Sequence, residues 1–286
     1  MKERRQAPSS SVYDGKVTIL GFDFDDLTQE GLIERIGKSV RERRRCWIAT
    51  LNVNLICLAE RESSFRELLS SADVVTADGM PIVWVSRLAA HPLRERVTGA
   101  DLLKPLAVHA ARESWRIFLV GGEPGVAERV ADSLCAIAPR LQVAGLAAPL
   151  FPTEASTLDA ALNRSLLGAI RESRPDILLV ALGSPKQEKW IHHHFEIGQL
   201  DVPVVIGVGA GFDFLAGRQR RAPRWMRNSG LEWLHRMASQ PFRLGPRYAL
   251  DGLSFARLFI QSMRRGSRGA SLPDGTKSLR STDSEP

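Results

Sequence analysis

Thr76-Ala77-Asp78-Gly79-Met80-Pro81 sets a carboxylate between an apolar run and a Gly-x-Pro turn. Asp before Gly commonly closes an Asx-turn or caps a helix. At the rim of a ligand crevice the same group takes the proton of an attacking hydroxyl as a general base. Asp78 is open to both readings. A second apolar run ends Thr50-Leu51-Asn52-Val53-Asn54. Thr50 and Asn52 point the same way from an extended chain. One Asn suits the cap of the helix that follows, but capping does not need all three polar residues. Gly121-Gly122-Glu123-Pro124-Gly125 lies between an apolar run and a helical pattern. It is either a phosphate cradle on a helix N-terminus or a plain tight turn. It is neither G-x-G-x-x-G nor a P-loop, which argues against a dinucleotide oxidoreductase and a P-loop NTPase. In Gly183-Ser184-Pro185-Lys186-Gln187-Glu188, Pro185 suits the first turn of a helix and sets Lys186 and Gln187 near a ligand face. Gly207-Val208-Gly209-Ala210-Gly211-Phe212-Asp213 has glycines at alternate positions, which admits close backbone approach. Asp213 is a cap or a second acidic site residue. His192, His193 and His194 are consecutive and do not face one another on a helix. A solvated helix end is the expectation there, and no metal site or cofactor is expected.

The elements that position these groups read as a βαβ rhythm. Strands are predicted at Val17–Phe24, Cys46–Leu51, Val74–Thr76, Arg116–Val120, Gln142–Leu146, Asp176–Leu182 and Val202–Val208. They are rich in Val, Ile and Leu without strict alternation, as in strands buried on both faces. Helices are predicted at Gln29–Arg43, Leu55–Leu69, Leu102–Arg112, Val126–Ala136, Leu158–Glu172 and Lys186–Phe195. The fold class is therefore α/β, a parallel sheet with helices on both faces, whose ligands bind beyond the carboxyl ends of the strands. A largely apolar helix over Ile82–Leu88 either packs into the core or receives a greasy acceptor. Residues 1–14 read as a flexible N-terminus and 15–214 as the catalytic core. Residues 215–265 read as a helical basic appendage, with helices at Pro223–Ala238 and Tyr248–Met263 separated by a turn over Gln240–Pro246. Residues 266–286 read as a disordered tail.

The 286 residues carry a formal charge of +7. Between Leu215 and Gly269 stand twelve arginines against Glu232 and Asp251, with no lysine, so that segment is +10 and the rest of the chain −3. Such asymmetry points to an anionic partner. Arginine binds phosphate bidentately, and here it is interleaved with Trp225, Trp233, Phe242 and Tyr248. Nucleic acid, a diphosphate and anionic lipid all fit at this level. Cys46, Cys57 and Cys135 show neither metal spacing nor a disulfide framework. No apolar signal region follows the basic N-terminus, and no spanning segment is present. A cytoplasmic protein resting on the inner membrane face is expected. A homo-oligomer is compatible with the sequence.

Taken together, these motifs resemble the TagA/WecG/CpsF family of bacterial glycosyltransferases from about Val17 to Tyr248. Thr50-Leu51-Asn52, Ala77-Asp78-Gly79-Met80-Pro81, Arg96-Val97-Thr98-Gly99-Ala100-Asp101 and Gly121-Gly122 with Gly125 carry the likeness. So do Gly183-Ser184-Pro185-Lys186-Gln187-Glu188, Gly207-Val208-Gly209 through Asp213, Arg221-Ala222-Pro223, and Leu231-Glu232-Trp233 with Arg236 and Arg243. The resemblance implies a Rossmann-like core and metal-independent, inverting transfer of N-acetylmannosamine, N-acetylmannosaminuronate or glucose. The donor would be a UDP-sugar and the acceptor a polyprenyl-diphosphate-linked saccharide of cell-surface polysaccharide assembly. It implies that Asp78 is the base and that Thr50, Asn52, Arg96, Asp101 and Gln187 serve the sugar and acceptor. Gly121, Gly122, Gly125, Gly183, Gly209, Asp213, Arg236, Arg243 and Arg247 would serve the UDP diphosphate. Pro246-Arg247-Tyr248 departs from the family's paired arginines, so one phosphate ligand is lost or Arg247 replaces it. The outer arginines, Arg257 to Arg268, would meet an anionic membrane, and no nucleic acid is then expected. A nucleic-acid-binding module and a non-catalytic sugar-nucleotide sensor are the competing readings.

Overall fold

The computed structural model describes residues 15–88, 92–148, 160–239 and 241–268, with side chains for all of these except 228, 241, 243, 244, 246–249 and 263–268. The chain opens on an antiparallel hairpin of β1 (Lys16–Ile19) and β2 (Phe22–Asp25). One strand was expected over Val17–Phe24. It is two, because Leu20 and Gly21 both take left-handed backbone angles (φ 53° and 77°) and reverse the chain. Val17, Ile19, Phe22 and Phe24 still face inward, so the hairpin packs as an apolar flap.

Six further strands form a second sheet: β3 (Cys46–Leu51), β4 (Val74–Ala77), β5 (Arg116–Gly121), β6 (Gln142–Ala147), β7 (Ile177–Ala181) and β8 (Val204–Gly207). All pair in parallel, in the order β4-β3-β8-β7-β5-β6. Chain order reverses between β3 and β8 and again between β7 and β5. These are the points where an open parallel sheet forms a ligand crevice.

The helices are α1 (Gln29–Arg41), α2 (Val53–Arg61), α3 (Ser63–Ser70), α4 (Met80–Ser86), α5 (Gly99–Glu113), α6 (Val126–Ile137), α7 (Ala160–Ser173), α8 (Lys186–Glu196), α9 (Gly211–Leu215), α10 (Arg224–Asn228), α11 (Glu232–Ser239) and α12 (Pro241–Arg268). Successive strand residues alternate between two cores. Trp47, Ala49 and Leu51 pack with the hairpin, α2, α3, α4, α7 and α8. Cys46 and Ile48 pack with α1, α5, α6 and α9. Burial on both faces is why β3, β4, β5, β7 and β8 are mostly apolar rather than alternating, whereas the edge strand β6 is partly exposed.

Several helices differ from the sequence pattern. The helix expected over Leu55–Leu69 breaks at Glu62, whose backbone is extended (φ −126°, ψ 101°). The helix expected over Pro223–Ala238 breaks at Gly230 into α10 and α11. A Cβ on Gly230 would lie 2.4 Å from the Trp84 ring, so only glycine lets this turn close on α4. In α4, Ile82, Val83 and Val85 are core residues, and Trp84 alone turns outward. The turn expected within Gln240–Pro246 is replaced from residue 241 onward by α12, which runs through Gly245 and Pro246 into the expected tail as far as Arg268. The remainder of that tail, Gln240 and residues 1–14 lie outside the described residues.

Tertiary packing outweighs the loss of one helical N–H at Pro246. Phe255, Leu258 and Phe259, spaced three and four apart, lay one face of α12 on the core. Asp251, 4% exposed, accepts a 3.0 Å bond from Asn54 Nδ2 and faces Arg61 at 3.8 Å. Its backbone carbonyl meets the Cys57 thiol at 3.4 Å. Asp251→Ala removes the acceptor of the Asn54 bond and is expected to destabilise the docking by about 1–3 kcal/mol. Hydrogen exchange should then accelerate in α12 before it does in the sheet.

Candidate active site

The strand ends on one side of the sheet bring together most of the residues singled out by sequence. Asp78 is the first residue past β4, and its N–H donates to the Leu51 carbonyl at 2.7 Å. Asp78 is thereby pinned beside the end of β3. Part of its surface reaches solvent. Burial nevertheless pushes the carboxyl up to about 6, against the pull of Arg96, with Glu232 raising it further and Arg236 and Arg221 lowering it. Among the described residues, no side chain hydrogen-bonds this carboxylate. Gly79 holds the N-cap position of α4 with no side-chain cap bond, so the turn-cap reading fails for Asp78 and leaves a carboxyl raised toward neutrality.

Asn52 is a helix cap: its Oδ1 accepts from the Leu55 N–H at 3.1 Å at the start of α2. Asn54, the other candidate, pairs instead with Asp251. Thr50 is buried in β3, and its hydroxyl donates to the Gly207 carbonyl at 3.2 Å. Gln187, 2% exposed in the first turn of α8, accepts from the Gly209 N–H at 3.2 Å. Thr50 and Gln187 are thus joined through the end of β8. Gly183 and Gly209 both take positive φ, and a Cβ on either would meet nothing within 4 Å. Their backbones therefore face open space over the crevice.

Farther along the edge, Gly121 approaches β7 so closely that a Cβ would lie 2.4 Å from the Ala181 carbonyl oxygen. Gly122 and Gly125 complete the turn into α6. Glu123 in that turn is paired with Arg218 at 2.8 Å. Asp213 lies in the first turn of α9, and its carboxylate accepts from Gln219 Nε2 at 3.0 Å.

Arg96 and Asp101 belong to an ion network that sequence spacing did not reveal. Thr98 caps α5: its hydroxyl accepts from the Asp101 N–H and donates to the Asp101 carboxylate, each at 3.0 Å. Arg221 binds it bidentately at 2.7 and 2.9 Å, Arg96 at 2.9 Å and Arg227 at 3.0 Å. Arg96 and Arg221 also reach Glu232, at 3.2 and 3.4 Å. Burial pushes Asp101 up, but the bonds and charge of Arg221, with Arg96 and Thr98, hold it below the usual carboxylate range. Three guanidinium groups thus share two carboxylates, leaving a net positive field beside Asp78. Arg221 and Arg236 lie over the Phe214 ring at 5.4 and 5.6 Å. The inner arginines are not the solvated basic face that a charge run suggests. Arg243 and Arg247 lie on α12, with side chains outside those described.

The histidine run does not converge. His192 meets Ser71 at 3.0 Å. His194 is buried between Gln199 and Asn163, at 2.7 and 3.1 Å, rather than solvated at a helix end.

A parallel sheet whose strand ends gather a half-buried carboxylate, open glycine turns and an arginine cluster is suited to group transfer from a phosphate-bearing substrate. Over residues 17–269 the sequence matches the glycosyl transferase WecG/TagA/CpsF family, and the chain belongs to that family. It is a hexosyl-type glycosyltransferase with a Rossmann-like core. A relative from Bacillus subtilis (strain 168) is N-acetylglucosaminyldiphosphoundecaprenol N-acetyl-beta-D-mannosaminyltransferase. It is 32% identical over 211 residues, covering 72% of this chain and 78% of its own. An enzyme of the same name from Staphylococcus aureus (strain MW2) is 28% identical over 232 residues, covering 80% and 87%.

The raised Asp78 carboxyl has a measurable consequence. Its folded-state pKa lies above the ordinary value of 3.8, so the folded chain holds the proton more tightly than the unfolded chain. Stability linked to Asp78 is full below about pH 4, is lost as the pH rises through about 6, and stays lost above that. Asp78→Asn removes the buried charge. It is expected to stabilise the protein by about 2–3 kcal/mol near pH 8. In denaturant titrations that gain should shrink to nothing below about pH 4.

Proposed function

We propose that this chain transfers N-acetylmannosamine from its UDP-sugar to an N-acetylglucosaminyl-diphosphate-polyprenol, with inversion and without a metal. The observation that carries this reading is Asp78, a carboxyl raised to about 6, set at the strand ends beside Arg96, Arg221 and Arg236. An acceptor hydroxyl gives its proton to Asp78 as its oxygen bonds to the anomeric carbon of the donor. The bond from that carbon to the UDP diphosphate breaks, and the leaving oxygen takes the electron pair. Negative charge grows on the diphosphate, and arginines offer the stabilisation that a cation supplies elsewhere. Arg236 is the described arginine assigned to that role, with Arg243 and Arg247 following it on α12. Thr50, Asn52 and Gln187 are assigned to the sugar and acceptor, and the Gly121–Gly125, Gly183 and Gly209 turns to the nucleotide side.

The relatives are named for mannosaminyl transfer, which favours N-acetylmannosamine over glucose or N-acetylmannosaminuronate. A nucleic-acid role loses its motive, because Arg96, Arg221 and Arg227 are engaged by Asp101 and Glu232 rather than free for a phosphate backbone. No helix among the described residues is long and apolar enough to cross a membrane. We assign the chain to the cytoplasmic face of the membrane, held there by its C-terminal region. Trp225 (64% exposed), Trp233, Leu250 and Leu253 stand out from α10, α11 and α12 among arginines. Exposed indoles beside cations suit the headgroup level of an anionic bilayer.

Offering a panel of UDP-sugars with lipid-diphosphate N-acetylglucosamine and reading UDP release tests the assignment. UDP-N-acetylmannosamine should turn over at least tenfold faster than the other donors, about 1.4 kcal/mol in the barrier. Asp78→Asn should lower kcat by about 100-fold or more while UDP still binds. Turnover of Asp78→Asn near the wild-type rate removes the base, and preference for a different donor removes the sugar assignment.

A further inference from the structure

A second carboxyl at the same strand ends, Glu188, is buried and takes no part in the chemistry above. It sits in the first turn of α8 at 4% exposure. Its Oε1 accepts from Ser184 Oγ at 2.9 Å and from Gln187 Nε2 at 2.7 Å. Its Oε2 is closed off from solvent and has no hydrogen-bond partner among the described residues.

Gln187 carries one donor end and one acceptor end on its amide. The Gly209 N–H can only donate, so it needs the amide oxygen. Glu188 Oε1 is an acceptor, so it needs the amide NH2. The two demands agree, and they fix which way the amide points. Turned over, the amide would set donor against donor at Gly209 and acceptor against acceptor at Glu188. Gln187 also lies flat against the end of β8, where a Cβ on Gly207 would come within 2.9 Å of its Nε2. The Gly207 carbonyl in turn takes the Thr50 hydroxyl. Ser184, Glu188, Gln187, Gly209, Gly207 and Thr50 therefore make one run of contacts across the ends of β7, β8 and β3.

We propose that Glu188 is a positioning residue for sugar transfer, a neutral acid whose Oε1 sets the polarity of the Gln187 amide and so holds the Gly207–Gly209 turn under the crevice. The neutral form follows from the geometry. With the proton on Oε2, the partnerless atom is an uncharged hydroxyl, and Oε1 keeps both of its incoming bonds. An ionised group would bury a charge with one oxygen wholly unsolvated. Burial also raises this carboxyl, against the bonds from Gln187, its own backbone N–H and Ser184. Glutamine is the isostere of a neutral glutamic acid, with an amide oxygen in place of Oε1 and NH2 in place of the Oε2 hydroxyl. Methionine keeps the volume and offers no comparable acceptor.

The inference rests on the transferase reading, so its test carries one readout that needs no turnover. Full-length Glu188→Gln, Glu188→Met, Gln187→Ala and the Gln187→Ala/Glu188→Met double variant are compared. Exchange of the Gly209 amide is followed by NMR, and kcat and KM are followed by UDP release. Glu188→Met and Gln187→Ala should each speed Gly209 exchange by at least about tenfold, the loss of one hydrogen bond. Each should also lower kcat by about tenfold or more, and the double variant should be no slower than Gln187→Ala alone. Glu188→Gln should rescue both readouts to within about twofold of wild type. Gly209 exchange unchanged in Glu188→Met overturns the proposal, as do singles that multiply in the double variant or a Glu188→Gln as damaged as Glu188→Met. If Glu188→Met does not fold, Glu188→Gln against Gln187→Ala decides the same point. A wild-type chain that transfers no sugar defeats the transferase reading, and Gly209 exchange then decides the positioning separately.

Discussion

Asp101 accepts hydrogen bonds from Arg96, Arg221 and Arg227, and the arrangement above the strand ends follows from where that carboxylate is anchored. Thr98 and the first turn of α5 fix it to the core. Arg221 and Arg227 come from 120 and 126 residues farther along the chain. One partly buried carboxylate thus joins the Rossmann-like core to the segment that follows it. Breaking such a pair from one side leaves uncompensated charge, at a cost of about 3–5 kcal/mol. Its more consistent benefit is uniqueness of geometry, since a bidentate guanidinium–carboxylate pair accepts little angular error.

The same network sets the electrostatics of Asp78. Burial alone would drive that carboxyl toward the neutral acid, which is useless as a base at neutral pH. Arg96, Arg221 and Arg236 pull it back, Glu232 pushes it up again, and the balance falls at about 6. A group with that value is mostly ionised in the cell yet still basic enough to take a proton in a transition state. The arginines that hold the chain together therefore also set the state of this carboxyl, and Arg236 extends the cluster toward α12. Asp78 and Glu188 show how two carboxyls at the same strand ends take different states. The first sits in a cationic field and part of its surface meets water. The second sees neutral donors on one oxygen and nothing on the other.

The sheet was legible in the sequence because two-sided burial leaves runs such as Ile177–Ala181 apolar throughout, and strand ends are where polar residues must resume. Asp78, Thr50, Gln187 and the glycine turns lie at those ends. What was missed is nonlocal, lacks a breaker residue, or has its breaker inside a pattern that reads as continuous. Gly21 sits within an apolar run, so one strand was read where a hairpin lies. Glu62 divides a helix with neither Gly nor Pro to mark it. Gly245-Pro246 carries a breaker signal that the Phe255, Leu258 and Phe259 stripe overrides. The ion pairs of Arg96 and Asp101 with Arg221, Arg227 and Glu232 were not legible, because no local spacing relates those residues to them.

The central claim is that Asp78 is the base whose charge the arginine cluster tunes. The pH dependence of kcat/KM for the lipid-linked acceptor at fixed donor tests it most directly. The account requires a limb that rises with unit slope and levels off above an apparent value near 6, a limb that Arg96→Gln moves upward by removing the strongest cationic pull. A rate independent of pH between about 5 and 8, where such a base must titrate, or a limb that Arg96→Gln leaves in place, contradicts it.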